Sequence, residues 1–249
     1  MRYYYDFHIH SCLSPCADND MTPNNISGML KLAGIKVAAL TDHNSLKNCP
    51  AFFEAAERNG IIPIAGVEIT TLEDIHVVCL FRRLSAAMEF DVELYRHRVL
   101  IKNKTEVFGD QLILDGKDAT VSTEPYFLTN ATDLSVDDIP LLVKNFNGIS
   151  YPAHVDREAN GIIAILGDFP EKPAFDCVEF RSFENKEKYI KAYDKLVGKK
   201  VLYGSDSHFL CGIKDAANAF EFEAEERDPL VVTDKIFDFI AGDCEGTVL

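Results

Sequence analysis

The stretch Tyr3-Tyr4-Tyr5-Asp6-Phe7-His8-Ile9-His10 decides how this chain is read. It reads as a strand, and the two-residue period of a strand puts His8 and His10 on one face. Further histidine motifs close later apolar runs: Thr41-Asp42-His43, Ile75-His76, Ala153-His154 and Ser205-Asp206-Ser207-His208. Imidazole and carboxylate together suit hydrolytic divalent metals such as zinc, manganese and iron. One such pairing arises by chance. Five along one chain, each expected at a strand end, point to a multinuclear metallohydrolase.

The intervening sequence alternates helix and strand signals. Thr22-Pro23 starts a helix that Gly34 closes, and Gly60 stops a second helix running from about Pro50. Strands are expected over 36–41, 61–70 and 75–81, the second carrying Glu68, and Ser85 caps a helix to about Ile101. Residues 105–128 break the alternation as an inserted excursion, with a β-hairpin of 112–114 and 119–123 around the turn Asp115-Gly116. Helices from Ser135, over 158–166 and 184–197, and over 233–241 then alternate with strands at 148–153, 176–181 and 201–204. Roughly seven strands alternating with helices fit one α/β barrel over 1–249 better than an open sheet with a second domain. Barrels of this kind gather functional side chains at strand C-terminal ends, where all five histidine motifs are expected to lie. An open doubly wound sheet would focus its site at one switch point instead.

Composition narrows the function. The 249 residues suffice for a barrel-sized core, and 47% apolar with 26% charged residues is ordinary for a globular protein. A net charge of −15 argues against sequence-independent nucleic-acid binding, which relies on Lys and Arg. It remains compatible with a phosphorylated substrate, because bound cations reverse the field inside a pocket. No apolar run approaches the ~20 residues of a membrane span. The N-terminus turns acidic at Asp6, unlike a secretory signal, and seven scattered cysteines suggest reduced thiols, so the expected location is cytoplasmic.

Taken together, HxH at 8–10, TDH at 41–43, Glu68, His76, His154 and SDxH at 205–208 resemble the PHP family, phosphoesterase domains named for polymerases and histidinol phosphatase. The resemblance covers nearly the whole chain. It implies a distorted (β/α)7 barrel holding two or three divalent cations (zinc, manganese or iron) at the strand ends. Carried over by residue, it implies that His8, His10, Glu68 and Asp206 hold the first cation. Glu68 then bridges to a second held by His76 and His154, and Asp18, His43 and His208 hold a third. Asp18 precedes Pro23 by the family's spacing but lies farther from His10 than usual, as a short insertion within 11–17 would explain; Cys16 and Asp20 are the alternatives. A bridging carboxylate sets two cations about 3.5–4 Å apart, sharing one hydroxide as nucleophile. Glu68, Asp206 and His208 are therefore the expected catalytic residues, with His208 also a candidate proton donor to the leaving oxygen. Asp6 and Asp42 directly precede motif residues and are placed to orient imidazoles.

Arg157 and Arg181 are candidate substrate anchors, because a guanidinium grips two phosphate oxygens at once. For Arg157 a surface ion pair with Asp156 or Glu158 competes with that reading. Cys12, Cys16, Cys49 and Cys211 fall near the motifs, where a redox-sensitive rim or soft-metal site competes with unrelated free thiols. His97 reads as solvated. The leading expectation is a metal-dependent phosphoric ester hydrolase acting on a phosphorylated small molecule, nucleotides included. A catalytically silent metal-binding or redox-sensing module is one rival. A metal-dependent amidohydrolase, which also uses an HxH strand in a βα barrel, is the other.

Overall fold

The computed structural model describes residues 1–222, 228–242 and 247–248. In chain order, the first half contains β1 (Arg2–Asp6), α1 (Pro23–Leu32), β2 (Val37–Leu40), α2 (Cys49–Asn59), β3 (Ile62–Thr70), β4 (His76–Phe81) and α3 (Leu84–His97). A short helix α4 (Thr105–Phe108) and strands β5 (Leu112–Leu114) and β6 (Thr120–Thr123) follow. The second half contains α5 (Ile139–Lys144), β7 (Gly148–Pro152), α6 (Ile162–Leu166), β8 (Cys177–Phe180), α7 (Phe183–Ala192), β9 (Lys200–Tyr203), β10 (Ala219–Glu221), α8 (Pro229–Ala241) and β11 (Thr247–Val248). No helix among the described residues is long and apolar enough to cross a membrane.

Local chemistry explains the early elements. Thr22 caps α1 by accepting from Asn25 N, and Pro23 occupies the first turn, where its missing N–H costs nothing. α2 ends at Gly60, whose φ of 72° is the left-handed stop that glycine adopts without strain. β2 is Val-Ala-Ala-Leu, buried on both faces, as a central parallel strand requires.

The main sheet runs β11-β10-β1-β2-β3-β4-β7. β1, β2 and β3 are parallel, whereas β4 is antiparallel to both β3 and β7. β8 and β9 form a separate parallel pair. Backbone bonds join that pair to the sheet at one end: Val155 N donates to Glu179 O at 2.8 Å, and His10 N to Ser207 O at 2.9 Å. The strands thus form a curled α/β sheet whose two faces carry different cores. Tyr5, Phe7, Val37, Ala39, Leu80 and Tyr151 pack on one face with Ile236 and Phe237 of α8. Ala38, Leu40, Val67, Cys79 and Phe180 turn the other way, against Leu30 of α1, Phe52 of α2 and Phe90 of α3. Each fully buried Phe stabilises this scaffold by roughly 1.5–3 kcal/mol, which offsets local strain at the site described below.

One expectation is corrected outright. His76 does not follow a strand C-terminus; it opens β4. Thr70 at the end of β3 pairs directly with His76, because β3 and β4 form an antiparallel hairpin. The start of β4 therefore reaches the same edge as the ends of its neighbours. Several elements are also shorter than expected. β1 stops at Asp6, and the following residues bond outward instead, with Ile9 N on Thr41 Oγ1 at 3.0 Å. The helix expected over 158–166 starts only at Ile162, because Asn160 sits at φ 60°. β5 and β6 pair antiparallel, with Asp115 in the turn between them. The hairpin is tied back by Leu112 N to Cys12 O at 3.0 Å and Leu114 N to Asn48 Oδ1 at 2.9 Å.

Candidate metal centre

Glu68, buried near the end of β3, is where the histidine motifs meet. Its Oε1 lies 3.2 Å from His8 Nε2, 2.9 Å from His76 Nδ1 and 3.2 Å from His154 Nε2. Its Oε2 lies 3.4 Å from His10 Nε2 and 3.2 Å from His43 Nδ1. Asp206 Oδ1 faces His8 and His10 at 3.5 and 3.4 Å, and the His208 ring stacks on His10 with centroids 4.2 Å apart. Chain elements far apart in sequence thus deliver their side chains to one carboxylate.

The donor atoms fit divalent cations. His8 Nε2, His10 Nε2, His43 Nδ1, His76 Nδ1 and Glu68 Oε2 are buried without a hydrogen-bond partner. Native interiors rarely leave such atoms unpaired, since each costs free energy unless something satisfies it. Among the described residues, three groups have ligand atoms mutually within 4.8 Å: His8, His10, Glu68 and Asp206; His43, Glu68 and His76; His10, His43 and His208. His43, not His154, completes the second group, while His154 touches Glu68 alongside it. Asp18 belongs to none of the groups. It is exposed, although its backbone N–H donates to His208 O at 3.0 Å and so holds it beside the third group.

Several buried groups aim the imidazoles. Asp42 accepts from Ser11 N and Ser11 Oγ, at 2.7 and 2.6 Å, and from Ser14 Oγ at 2.7 Å. Ser14 Oγ also lies 3.2 Å from His10 Nδ1, so Asp42 steadies that ring through a hydroxyl. Among the described residues, Asp6 has no hydrogen bond to a ring. It accepts from His8 N and Ser205 N, at 3.2 and 3.1 Å, pinning β1 to the loop that carries Asp206. A further carboxylate, Glu179, contacts the far side of the His8 ring, with Oε1 2.8 Å from His8 Nδ1. Sequence reading missed it because it stands alone in the apolar strand Cys-Val-Glu-Phe. A charged residue facing inward from such a strand was the available signal. His154 and Asp206 hold positive φ of 29° and 52°, and Asn44, Asp74 and Asn160 around them are also left-handed. Non-glycine residues there cost of order 1–3 kcal/mol each and collect at functional sites.

The electrostatics follow from burial against charge. Burial lowers the His8 ring, but Glu179, Glu68 and Asp206 outweigh it and lift its pKa well above the usual value. For His10, contacts with Asp206 and Glu68 overcome burial and raise the pKa to about 9. Burial, then repulsion from His10, drops His208 to about 4, and burial drives His43 well down. Burial opposes ionisation of Glu68, yet His76, His8 and His43 hold it well below the carboxylate range. The centre thus sets two buried carboxylates, Glu68 and Asp206, against rings pushed in opposite directions, His8 and His10 up and His43 and His208 down.

Arg157 reaches this centre. It is partly exposed and donates to Asp206 Oδ2 at 3.1 Å, at the mouth of a 230 Å³ pocket shared with Glu68, His76, His208 and Thr129. Arg181 does not line that pocket. It lines a separate 280 Å³ cavity with Lys214, Phe183 and Tyr203, on the other side of Ser205. Of the four cysteines near the motifs, only Cys16 lines the metal pocket. Cys12 and Cys49 are buried, and burial raises both thiols, Cys12 to about 12. His97 is paired with Asp133 at 2.8 Å.

Comparison with solved structures places this geometry in context. A lesion-specific endonuclease from Pyrococcus furiosus superposes with a TM-score of 0.66 at 18% identity, covering 100% of this chain and 58% of that one. This chain therefore spans little more than half of that enzyme's length. A provisionally assigned metal-dependent phosphoesterase from Bifidobacterium adolescentis gives 0.55 at 16% identity, covering 83% and 88%. An amidohydrolase from Chromobacterium violaceum gives 0.53 at 18% identity, covering 99% and 97%. At these identities the likeness is one of fold. Comparison with curated proteins finds no match. The PHP domain profile, however, matches residues 6–203, from Asp6 to Tyr203. The chain belongs to the PHP domain family and carries the fold of its metal-dependent hydrolases.

Proposed function

We propose that this protein is a cytoplasmic metal-dependent phosphoesterase that hydrolyses a phosphomonoester or small phosphodiester. We read its fold as one distorted (β/α)7 barrel over 1–249 with 105–128 inserted. The observation that supports this most is Glu68 at the junction of the donor groups, with Arg157 over the open side. His8, His10, Glu68 and Asp206 would hold one divalent cation, and Glu68 with His76 and His154 a second. His43 and His208, with Asp18 from the rim, would hold a third. Two or three such cations (zinc, manganese or iron) supply Lewis acidity and activate water at neutral pH.

The chain's own residues do the rest. Arg157, tethered by Asp206, binds phosphoryl oxygens at the rim. His208 Nδ1 lies 2.9 Å from the Asp206 carbonyl and donates to it in the neutral ring, leaving the Nε2 lone pair free for a cation. The endonuclease neighbour is named for cleaving nucleic acid. A net charge of −15 favours small phosphorylated substrates, nucleotides included, over non-specific nucleic-acid binding. His8→Ala and Asp206→Asn should each abolish hydrolysis while leaving the circular dichroism spectrum intact. Failure of the metal-loaded protein to hydrolyse any member of a broad phosphoester panel would overturn the proposal. Metal binding without hydrolysis would indicate a silent module, and cleavage of amides alone an amidohydrolase.

A further inference from the structure

Glu179 has a position that no motif assigns. Its carboxylate is buried in β8, and among the described residues His8 is its sole partner at ion-pair distance. One oxygen serves two histidines: Glu179 Oε1 lies 2.8 Å from His8 Nδ1 and accepts from His154 N at 3.2 Å. We propose that Glu179 is the positioning residue that sets His8 and His154 on either side of Glu68; this rests on the metal-centre reading above. Donation from His8 Nδ1 to Glu179 fixes the tautomer, so the Nε2 lone pair faces Glu68 Oε1 and Asp206 Oδ1. The reverse tautomer would put an N–H where a cation must sit. The same oxygen holds His154 at φ 29°, the turn that brings its Nε2 to 3.2 Å from Glu68. His10 and His208 have other supports, Ser14 Oγ and the Asp206 carbonyl.

The consequence is selective. Glu179→Ala should weaken zinc at the groups containing His8 and His154 by about 10–100-fold, the usual effect of losing an outer hydrogen bond to a ligand. The third cation, held by His43 and His208, should be kept. Glu179→Gln retains a carbonyl acceptor for both donors and should recover most of the loss. Zinc titration against a competing chelator reads the affinities, thermal unfolding of each zinc-loaded protein reads the fold, and the His8 Nδ1–H proton resonance reads the tautomer. That resonance should persist in wild type and in E179Q and vanish in E179A. Unchanged zinc affinities in E179A, or equal weakening of every bound zinc, would overturn the assignment. Should E179A not fold, an E179Q protein that binds zinc no better than metal-site knockouts would overturn it equally. No substrate enters this test, so an inactive wild type would sink the phosphoesterase reading alone. A wild type that binds no zinc would end both.

Discussion

A single methyl group at Gly204 tests whether the centre is as tightly built as the distances indicate. Gly204 follows β9 without a positive φ, so its backbone accepts alanine. The added Cβ, however, would lie 2.6 Å from Glu179 Oε2 and 2.6 Å from His8 Cβ, where ordinary contact begins at 3.4 Å. His8 Cβ is close to the main chain, and Glu179 is held by its hydrogen bonds, so neither moves cheaply. Overpacking of this kind costs about 1–3 kcal/mol, well within the 5–15 kcal/mol typical of a folded domain. The variant should therefore fold, with a melting temperature lower by roughly 2–12 °C. The ligands must retreat by more than the ~0.5 Å that a functional site tolerates, and an error near 1 Å costs ~100-fold. Zinc affinity and hydrolysis should thus fall about 100-fold in a protein that remains folded. Calorimetry beside a zinc titration separates the two effects. Wild-type zinc affinity in Gly204→Ala would refute the packing argument.

Three further outcomes follow from the same geometry. Asp42→Ala strips the acceptor from Ser11 N, Ser11 Oγ and Ser14 Oγ; at about 1–3 kcal/mol for each orphaned donor, with incomplete additivity, denaturant unfolding should show a loss of roughly 3–5 kcal/mol. A loss under about 1 kcal/mol would mean the network bears little strain. The His10 pKa of about 9 lies above its ordinary 6.5, so in chelator-stripped protein its contribution is complete below pH 6.5 and disappears as pH rises through 9. Zinc affinity should rise across that same window as fewer protons compete, and a flat affinity would contradict the assignment. Arg157→Ala should raise KM for a phosphoester at least tenfold with bound metal unchanged; loss of metal instead would make the Asp206 contact its main role.

Much of the site was readable in the sequence because its ligands come as local pairs. His8 and His10 share a strand face, and Asp206 and His208 share one loop, so spacing alone exposes them. Glu179 carries no such pattern; its partners His8 and His154 become neighbours only when β8 closes against the sheet. Arg157 and Arg181 were equal candidates as phosphate anchors in the sequence, and only the folded chain puts one beside the metal ligands and the other in a different cavity. His76 was recognised as a residue but misplaced in topology, since an antiparallel β4 has the same apolar run as a parallel one. Helix lengths failed where left-handed residues such as Asn160 interrupt an otherwise helical stretch.

The most direct measurement is anomalous scattering, at zinc and manganese absorption edges, from crystals grown with each metal. Two or three peaks should appear around Glu68, each within bonding distance of a donor group that includes His8, His76 or His43. Crystals without peaks there, or with the Glu68 carboxylate turned away from His8, His76 and Asp206, would contradict the metal-centre reading.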